Sequence, residues 1–177
     1  MEFRLRDFRQ DDFETVWRID QQCFAPGISY SRVDLAAYLR RPLAFALVAE
    51  FCGSGKSPML GKGISPDDSV PAIVGFIVAE PGSRGVGHII TIDVLPAQRG
   101  SGIGSSLLQA AEERLRAARC HSVILETAVD NRVALSFYKK HAYSVTKAIP
   151  GYYSDGVDAL VMKKNLLSRS APANLPQ

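Results

Sequence analysis

The chain has 177 residues, 46% of them apolar and 22% charged, and 21 basic against 18 acidic side chains give a formal net charge of +3. A chain of this length is expected to form about one domain, with a hydrophobic core that needs no covalent or metal crosslinks. The net charge is too small to indicate a nucleic-acid partner, for which a concentrated basic stripe is typical.

Cysteines, histidines and apolar runs exclude further classes of protein. The three cysteines never show C-x-x-C spacing and the three histidines are scattered, so we expect neither a disulfide scaffold nor a metal site. The longest apolar runs, Leu43–Ala49 and Ala72–Ala79, are far shorter than the roughly 18 residues that span a bilayer. Residues Met1–Arg4 do not begin the apolar stretch of a signal peptide. We therefore expect a cytoplasmic protein with no membrane partner.

Apolar periodicity along the chain predicts alternating strands and helices. The first half is predicted to contain a strand, a helix that ends before Pro26-Gly27, a short helix capped by Ser31 and a second strand, at Phe3–Phe8, residues 13–24, Ser31–Arg41 and Leu43–Phe51. The second half is predicted to contain strands and helices at Ala72–Glu80, His88–Leu95, Gly102–Ala118 (helix), Val123–Val129, Asn131–His141 (helix), Tyr143–Ile149 and Ala159–Lys163. This order predicts a mixed α/β sheet.

Residues 52–71 carry no apolar period and are predicted to form a long loop inserted in a single domain of residues 1–164. Gly55-Lys56-Ser57 matches the end of the phosphate-binding pattern G-x-x-x-x-G-K-[ST], but the first position is Glu50 and no apolar helix follows, so a P-loop is disfavoured. The tail, residues 165–177, is rich in Ser, Pro and Ala and is expected to be disordered.

The helix predicted at Gly102–Ala118 has the clearest amphipathic pattern of the chain. Its apolar stripe consists of Ile103, Leu107, Leu108, Ala111 and Leu115. The side chains expected to face away from the core are Ser105, Gln109, Glu112, Glu113 and Arg116.

The turn before that helix is rich in glycine and follows a buried strand and Pro96. Glycines expose backbone N–H groups, and together with a helix N-terminus they form an anion site that suits a pyrophosphate. A tight turn with no ligand is the alternative interpretation. A Rossmann site is disfavoured because Gly100, Gly102 and Gly104 do not fit G-x-G-x-x-G, although Glu126 lies at a plausible distance for its acid.

The same turn resembles the acetyl-CoA signature [QR]-x-x-G-x-[GA] of the GNAT acetyltransferases, with Arg99, Gly102 and Gly104 at its fixed positions. Segments 125–131 and 134–143 are similar to later motifs of that family, and 151–159 is similar to its RimI-type protein N-terminal acetyltransferases. The resemblance implies a mixed, mostly antiparallel sheet of about seven strands with about four helices.

The resemblance also implies a binding site for acetyl-CoA. The pyrophosphate would be held by the turn, whose residues are Arg99, Gly100, Ser101, Gly102, Ile103 and Gly104. The strand before it would contribute Ile92 and Val94, with the Val94 N–H polarising the thioester carbonyl. Asn131 would contact the cofactor, although capping of its own helix would by itself explain an asparagine there.

Two catalytic side chains follow from the resemblance. Tyr138 would donate a hydrogen bond to the departing sulfur; the alternative is a core tyrosine. Because a phenol is a weaker acid than a thiol, full proton transfer would be uphill by roughly 2 kcal/mol at ordinary pKa values. Glu126 would act as general base, directly or through a water; the alternative is an exposed glutamate at a strand end.

The implied acceptor is an amine, most consistently the N-terminal amine of a protein or peptide, a ribosomal protein among them. An α-amine with a pKa near 7.8 is roughly 15% neutral at pH 7, whereas lysine is below about 0.1%. The aromatic residues expected to frame this acceptor are Phe24, Tyr30, Tyr152 and Tyr153. A lysine, polyamine or antibiotic acetyltransferase and a non-catalytic acyl-CoA sensor remain alternatives, and the oligomeric state is open.

Overall fold

The structure, a computed structural model, describes residues 2–24, 28–51, 72–154 and 156–167. Within these ranges the strands are β1 (Phe3–Asp7), β2 (Phe45–Phe51), β3 (Ile73–Pro81), β4 (Val86–Val94), β5 (Ser122–Ala128), β6 (Ser144–Ile149) and β7 (Ala159–Asn165). The helices are α1 (Phe13–Cys23), α2 (Arg32–Leu39), α3 (Ile103–Ala117) and α4 (Arg132–Lys140). The predicted α/β class and the predicted order of elements are confirmed. The predicted loop at 52–71 lies outside the described residues.

The seven strands form one sheet in the order β1-β2-β3-β4-β5-β7-β6. Neighbouring strands are antiparallel except β4 and β5, which are parallel. β4 and β5 pair only from Val86 with Ser122 to His88 with Ile124. Beyond these pairs both strands continue without pairing to each other, so a gap opens in the middle of the sheet.

A β-bulge in β4 changes which side chains face each side of the sheet. Val78 of β3 pairs with Thr91, but Ala79 pairs with Ile89, so Ile90 is the extra residue. A Cβ on Gly87 would touch Leu115 of α3, and Val94 also lies against α3 at Gly104. Regular alternation would place positions 87 and 94 on opposite faces. The bulge therefore turns the end of β4, and Asp93 faces α1 on the other side of the sheet.

The apolar stripe predicted for α3 is buried, but one predicted solvent-facing residue of that helix is not. Glu112 is 3% exposed. Its carboxylate accepts hydrogen bonds from the Tyr143 hydroxyl at 3.0 Å and the Lys164 ammonium at 2.7 Å. The prediction was wrong because helical periodicity does not show that Tyr143 and β7 cover this flank of α3.

Two helices of the described chain have the predicted N-caps. The Ser31 side chain accepts the Asp34 N–H at 3.1 Å, and the Asn131 side chain accepts the Ala134 N–H at 3.1 Å. At the other end of the domain, β7 reaches Asn165 and Leu166 is 4% exposed, so the packed structure continues past residue 164. None of the helices within the described ranges is long and apolar enough to cross a membrane.

Candidate active site

A cavity of about 670 Å³ occupies the gap between β4 and β5. One side of it is lined by the turn before α3, the start of α3 and α4, and the other by the segment after α1 and the segment between β6 and β7. Most of the predicted site residues line it, namely Phe24, Tyr30, Ile92, Val94, Arg99, Gly100, Gly102, Gly104, Glu126, Asn131, Tyr138 and Tyr153. The topology therefore brings distant parts of the chain to one place.

Three predicted site residues are not among the lining residues. The Ser101 hydroxyl donates to the Gln98 carbonyl oxygen at 2.6 Å, so it stabilises the turn. Ile103 is 1% exposed and its side chain belongs to the core. Tyr152 is 49% exposed and lies edge-on to Tyr153, with ring centroids 5.1 Å apart. A contact of Ser101 or Ile103 with a ligand would have to come from the backbone.

The glycine turn has the backbone conformation that an anion cradle needs. Gly100 and Gly102 have φ angles of 79° and 91°, in the left-handed region that favours glycine. Nothing lies within 4 Å of a Cβ built on either residue, so the space beside the turn is open. α3 begins at Ile103, and the N–H groups of its first turn have no preceding helical carbonyl. These donors and the helix dipole fit the pyrophosphate of CoA.

The backbone N–H of Val94 points into the gap. The next amide, Leu95 N–H, donates to the Val74 carbonyl oxygen of β3 at 2.9 Å. Successive peptide groups of a strand point to opposite sides, so the N–H and carbonyl of Val94 point away from β3. That carbonyl accepts hydrogen bonds from the Cys23 thiol at 3.3 Å and from Arg99 Nε at 3.2 Å. Two side chains therefore hold the Val94 carbonyl in the part of β4 that no longer pairs with β5.

Glu126 contacts a histidine that lies far from it in the sequence. His88 Nε2 lies 2.6 Å from Glu126 Oε2, and the two side chains are 30% and 17% exposed. His88 pairs with Ile124 in the last paired position of β4 and β5, so the contact sits where the gap begins. Glu126 is thus a fixed, partly buried acid. The sequence carries no signal for this contact, because it requires knowing that β4 and β5 are parallel neighbours.

Tyr138 of α4 belongs to the core and lines the cavity at the same time. It is 7% exposed, and its ring packs against Phe137 and Tyr143, with centroids 5.3 Å and 5.6 Å away. Burial raises the pKa of the Tyr138 phenol, and the nearby Asp93 and Tyr153 raise it further. Tyr138 is therefore a hydrogen-bond donor at neutral pH and not a strong acid.

Two buried acids near the cavity were also missed, because each stands within an apolar pattern. Asp93 is 2% exposed and Asp20 is 0% exposed. Burial raises the pKa of Asp20 to about 6, and burial together with the charge of Asp20 raises the pKa of Asp93 well above its ordinary value. Burial, and then Asp93, raises the pKa of the Cys23 thiol to about 11. The corner formed by Asp20, Asp93 and Cys23, at the edge of the cavity, therefore favours the neutral forms of these side chains.

In the part of the chain that the structure describes, no three His, Cys, Asp or Glu side chains are grouped as a metal site requires. His141 lies 3.0 Å from the hydroxyl of Ser105 in the first turn of α3. Burial, and then Lys164, lowers the pKa of His141.

Comparison with known proteins identifies relatives along the whole chain. The sequence model of the acetyltransferase (GNAT) family matches residues 14–143. An uncharacterized N-acetyltransferase of Methanocaldococcus jannaschii is 31% identical over 169 residues, which cover 95% of both chains. An N-alpha-acetyltransferase of Sulfurisphaera tokodaii is 29% identical over 165 residues, which cover 91% of this chain and 92% of that protein.

Solved structures give the same result. Ard1 from Thermoplasma volcanium matches with a TM-score of 0.77 and 28% identity, covering 95% of this chain and all (100%) of that one. The ribosomal-protein-S18-alanine N-acetyltransferase from Escherichia coli matches with a TM-score of 0.72 and 16% identity over 98% of this chain and 100% of its own, which indicates a shared fold. The resemblance found in the sequence is confirmed. The chain belongs to the GNAT acetyltransferase family, and acetyl-CoA is its acetyl donor.

Proposed function

We propose that this enzyme transfers the acetyl group of acetyl-CoA to the N-terminal α-amine of a protein or peptide. The observation that carries the proposal is the contact between Glu126 and His88 at the start of the gap, in a cavity that Glu126 lines together with Val94 further along β4. The relative from Sulfurisphaera tokodaii is an N-alpha-acetyltransferase, and the similarity to it extends over nearly its whole length. This similarity supports the same acceptor.

The glycine turn and β4 position acetyl-CoA, which supplies the activated acetyl thioester. Backbone N–H groups between Gly100 and Gly104 bind the pyrophosphate, and Arg99 contributes charge beside them. Arg99 Nε already donates to the Val94 carbonyl oxygen, so this side chain also fixes the strand that carries the polarising amide. The Val94 N–H stabilises the negative charge that develops on the thioester oxygen, an effect worth about 3–4 kcal/mol in known oxyanion holes.

Glu126 removes a proton from the acceptor ammonium, through a water molecule where the distance requires one. His88 holds the carboxylate in place through its 2.6 Å contact. The neutral amine would then attack the thioester carbon and form the new N–C bond, and its nitrogen would lose a second proton to water as the C–S bond breaks. The thiolate leaves with a hydrogen bond from the Tyr138 hydroxyl and takes its proton from solvent, because burial keeps the proton on the phenol.

An α-amine suits this arrangement better than a lysine. A single carboxylate can deprotonate an amine whose pKa is near 7.8, whereas a lysine with a pKa near 10.4 needs strong additional depression. Tyr30 and Tyr153 border the acceptor side of the cavity, and Phe24 lies beside them. The N-terminus of a ribosomal protein is one acceptor of this class, and it would place the enzyme in the cytoplasm.

The test is acetylation of peptides that differ in their free amines. We expect acetyl-CoA-dependent thiol release with a peptide that has a free N-terminus, and none with the same peptide blocked at its N-terminus and carrying one lysine. Glu126→Gln is expected to lower kcat at least about 100-fold, the scale of lost general-base catalysis. Glu113→Gln, on the exposed side of α3, is the matched control and should leave kcat unchanged.

Two results would contradict the proposal. Acetylation of the lysine in the blocked peptide would make this a lysine acetyltransferase. Binding of acetyl-CoA without turnover on any amine would favour a sensor module.

A further inference from the structure

Two carboxyl groups lie beside the cavity, and the mechanism above uses neither. Asp93 Oδ2 accepts a hydrogen bond from the Thr91 hydroxyl at 3.0 Å, and Asp20 Oδ2 accepts the backbone N–H of Tyr30 at 2.9 Å. The Oδ1 atoms of both acids are buried and accept no hydrogen bond within the described ranges. A buried oxygen without a donor is costly, and Asp93, unlike Asp20, lines the cavity, so its Oδ1 is a group that a ligand can satisfy.

Asp93 is placed to meet the acceptor and not the cofactor. It lines the cavity and directly precedes Val94, whose amide polarises the thioester. Adjacent Cα atoms are only about 3.8 Å apart. The bulge directs Asp93 toward α1, where Cys23 also lines the cavity, while the glycine turn and α3 lie on the opposite face. In the first acceptor residue, the Cα that carries the attacking nitrogen also carries the side chain. That side chain therefore comes close to Asp93.

The chemistry of this corner favours a hydroxyl over a second charge. Burial, reinforced by Asp20, raises the pKa of the Asp93 carboxyl well above its ordinary value, which favours its neutral form. A neutral carboxyl offers little to an ammonium group. A hydroxyl can both donate to a carboxyl oxygen and accept from a carboxyl O–H, whereas an apolar side chain leaves Oδ1 unpaired.

We propose that Asp93, supported by Asp20, selects acceptors whose first residue is serine or threonine, through a hydrogen bond between Asp93 Oδ1 and the side-chain hydroxyl. This inference rests on the proposed N-terminal acetylation. It assigns a specificity-determining role to a residue that lies outside the glycine turn and outside the pair of Glu126 and His88.

The test uses four peptides that differ only in the first residue, compared as the pairs Ser with Ala and Thr with Val. Thr and Val have nearly the same shape, so this pair isolates the hydroxyl. For the wild-type enzyme we expect kcat/KM to favour the hydroxyl about tenfold in each pair, because a site built for a hydroxyl is penalised when it stays unpaired. Asp93→Leu should bring both ratios near one, and Asp93→Asn should keep part of the preference. KM for acetyl-CoA should not change in either variant.

The outcomes separate this inference from the proposed function. Efficient acetylation of all four peptides with a Thr to Val ratio near one overturns the inference and leaves the proposed function intact. A ratio that stays high in folded Asp93→Leu also overturns it. If the Asp93 variants do not fold, the wild-type Thr to Val ratio decides. If no peptide is acetylated although acetyl-CoA binds, the proposed function fails and the inference fails with it.

Discussion

At the scale of single residues, the acids around the cavity differ in what surrounds them. Glu126 contacts His88, a group that can carry positive charge. The hydrogen-bond donors to Asp20 and Asp93 are neutral, namely a hydroxyl, a thiol, a side-chain amide and a backbone amide. A carboxylate is costly to bury without a charged partner, so burial disfavours ionisation of Asp20 and Asp93.

This difference predicts a pH-dependent effect of Asp20→Asn on stability. Burial raises the pKa of Asp20 to about 6 in the folded protein. This pKa is higher than that of Asp20 in the unfolded chain. Between about pH 4 and pH 6 the unfolded chain therefore releases the Asp20 proton more readily than the folded protein does, and the wild type loses stability as the pH rises. The asparagine keeps an oxygen for the Tyr30 N–H and cannot ionise. At pH 8 we expect the variant to be more stable by about 2–3 kcal/mol.

The measurement is thermal or urea unfolding of both proteins between pH 4 and pH 8. The gain of the variant should grow with pH and nearly vanish at pH 4. Asp11→Asn, at an exposed acid before α1, is the matched control and should show no such trend. An equal effect of Asp20→Asn at both pH values would mean that lost packing, not ionisation, determines the difference.

At the scale of elements, the site depends on features that interrupt regular structure. α3 follows a turn with two left-handed glycines, and the bulge in β4 turns Asp93 toward α1. Local signals in the sequence predict the strands, the helices and both caps, because apolar period and capping residues are local. Contacts between elements, such as His88 with Glu126 or Glu112 with Lys164, could not be predicted, because they depend on strand order and packing. The β4 bulge also leaves no local signal.

The two helix caps allow the structural and binding roles of Asn131 to be separated. Asn131→Ala removes the cap of α4, which lines the cavity, and Ser31→Ala removes the cap of α2. We expect each variant to lose about 1 kcal/mol of unfolding free energy without ligand, as loss of a cap typically costs. Only Asn131→Ala should also weaken acetyl-CoA binding, measured by calorimetry. Equal affinities in the two variants would reduce Asn131 to a structural cap.

At the scale of the whole molecule, the sheet consists of two parts joined at the short pairing of β4 and β5. β1 to β4 form one part and β5 to β7 the other, and the paired segment runs only from Val86 to His88 on the β4 side. Both parts contribute to the cavity, with Val94 on one and Glu126 on the other. A molecule bound in the gap therefore contacts both parts of the sheet. It can supply hydrogen-bond partners to the stretches of β4 and β5 that do not pair with each other.

Hydrogen exchange can test whether acetyl-CoA fills this gap. The Val94 amide points into the gap, so in the free enzyme it should exchange through small local openings. With acetyl-CoA at 100 times its Kd, the bound form is stabilised by about 2.7 kcal/mol, and the Val94 amide should slow by up to about 100-fold. The Val78 and Leu47 amides, which lie in the paired strands β3 and β2, serve as internal references for global stabilisation. If Val94 slows no more than these references, the amide does not meet the thioester, and the assignment of the polarising donor to β4 would have to be abandoned.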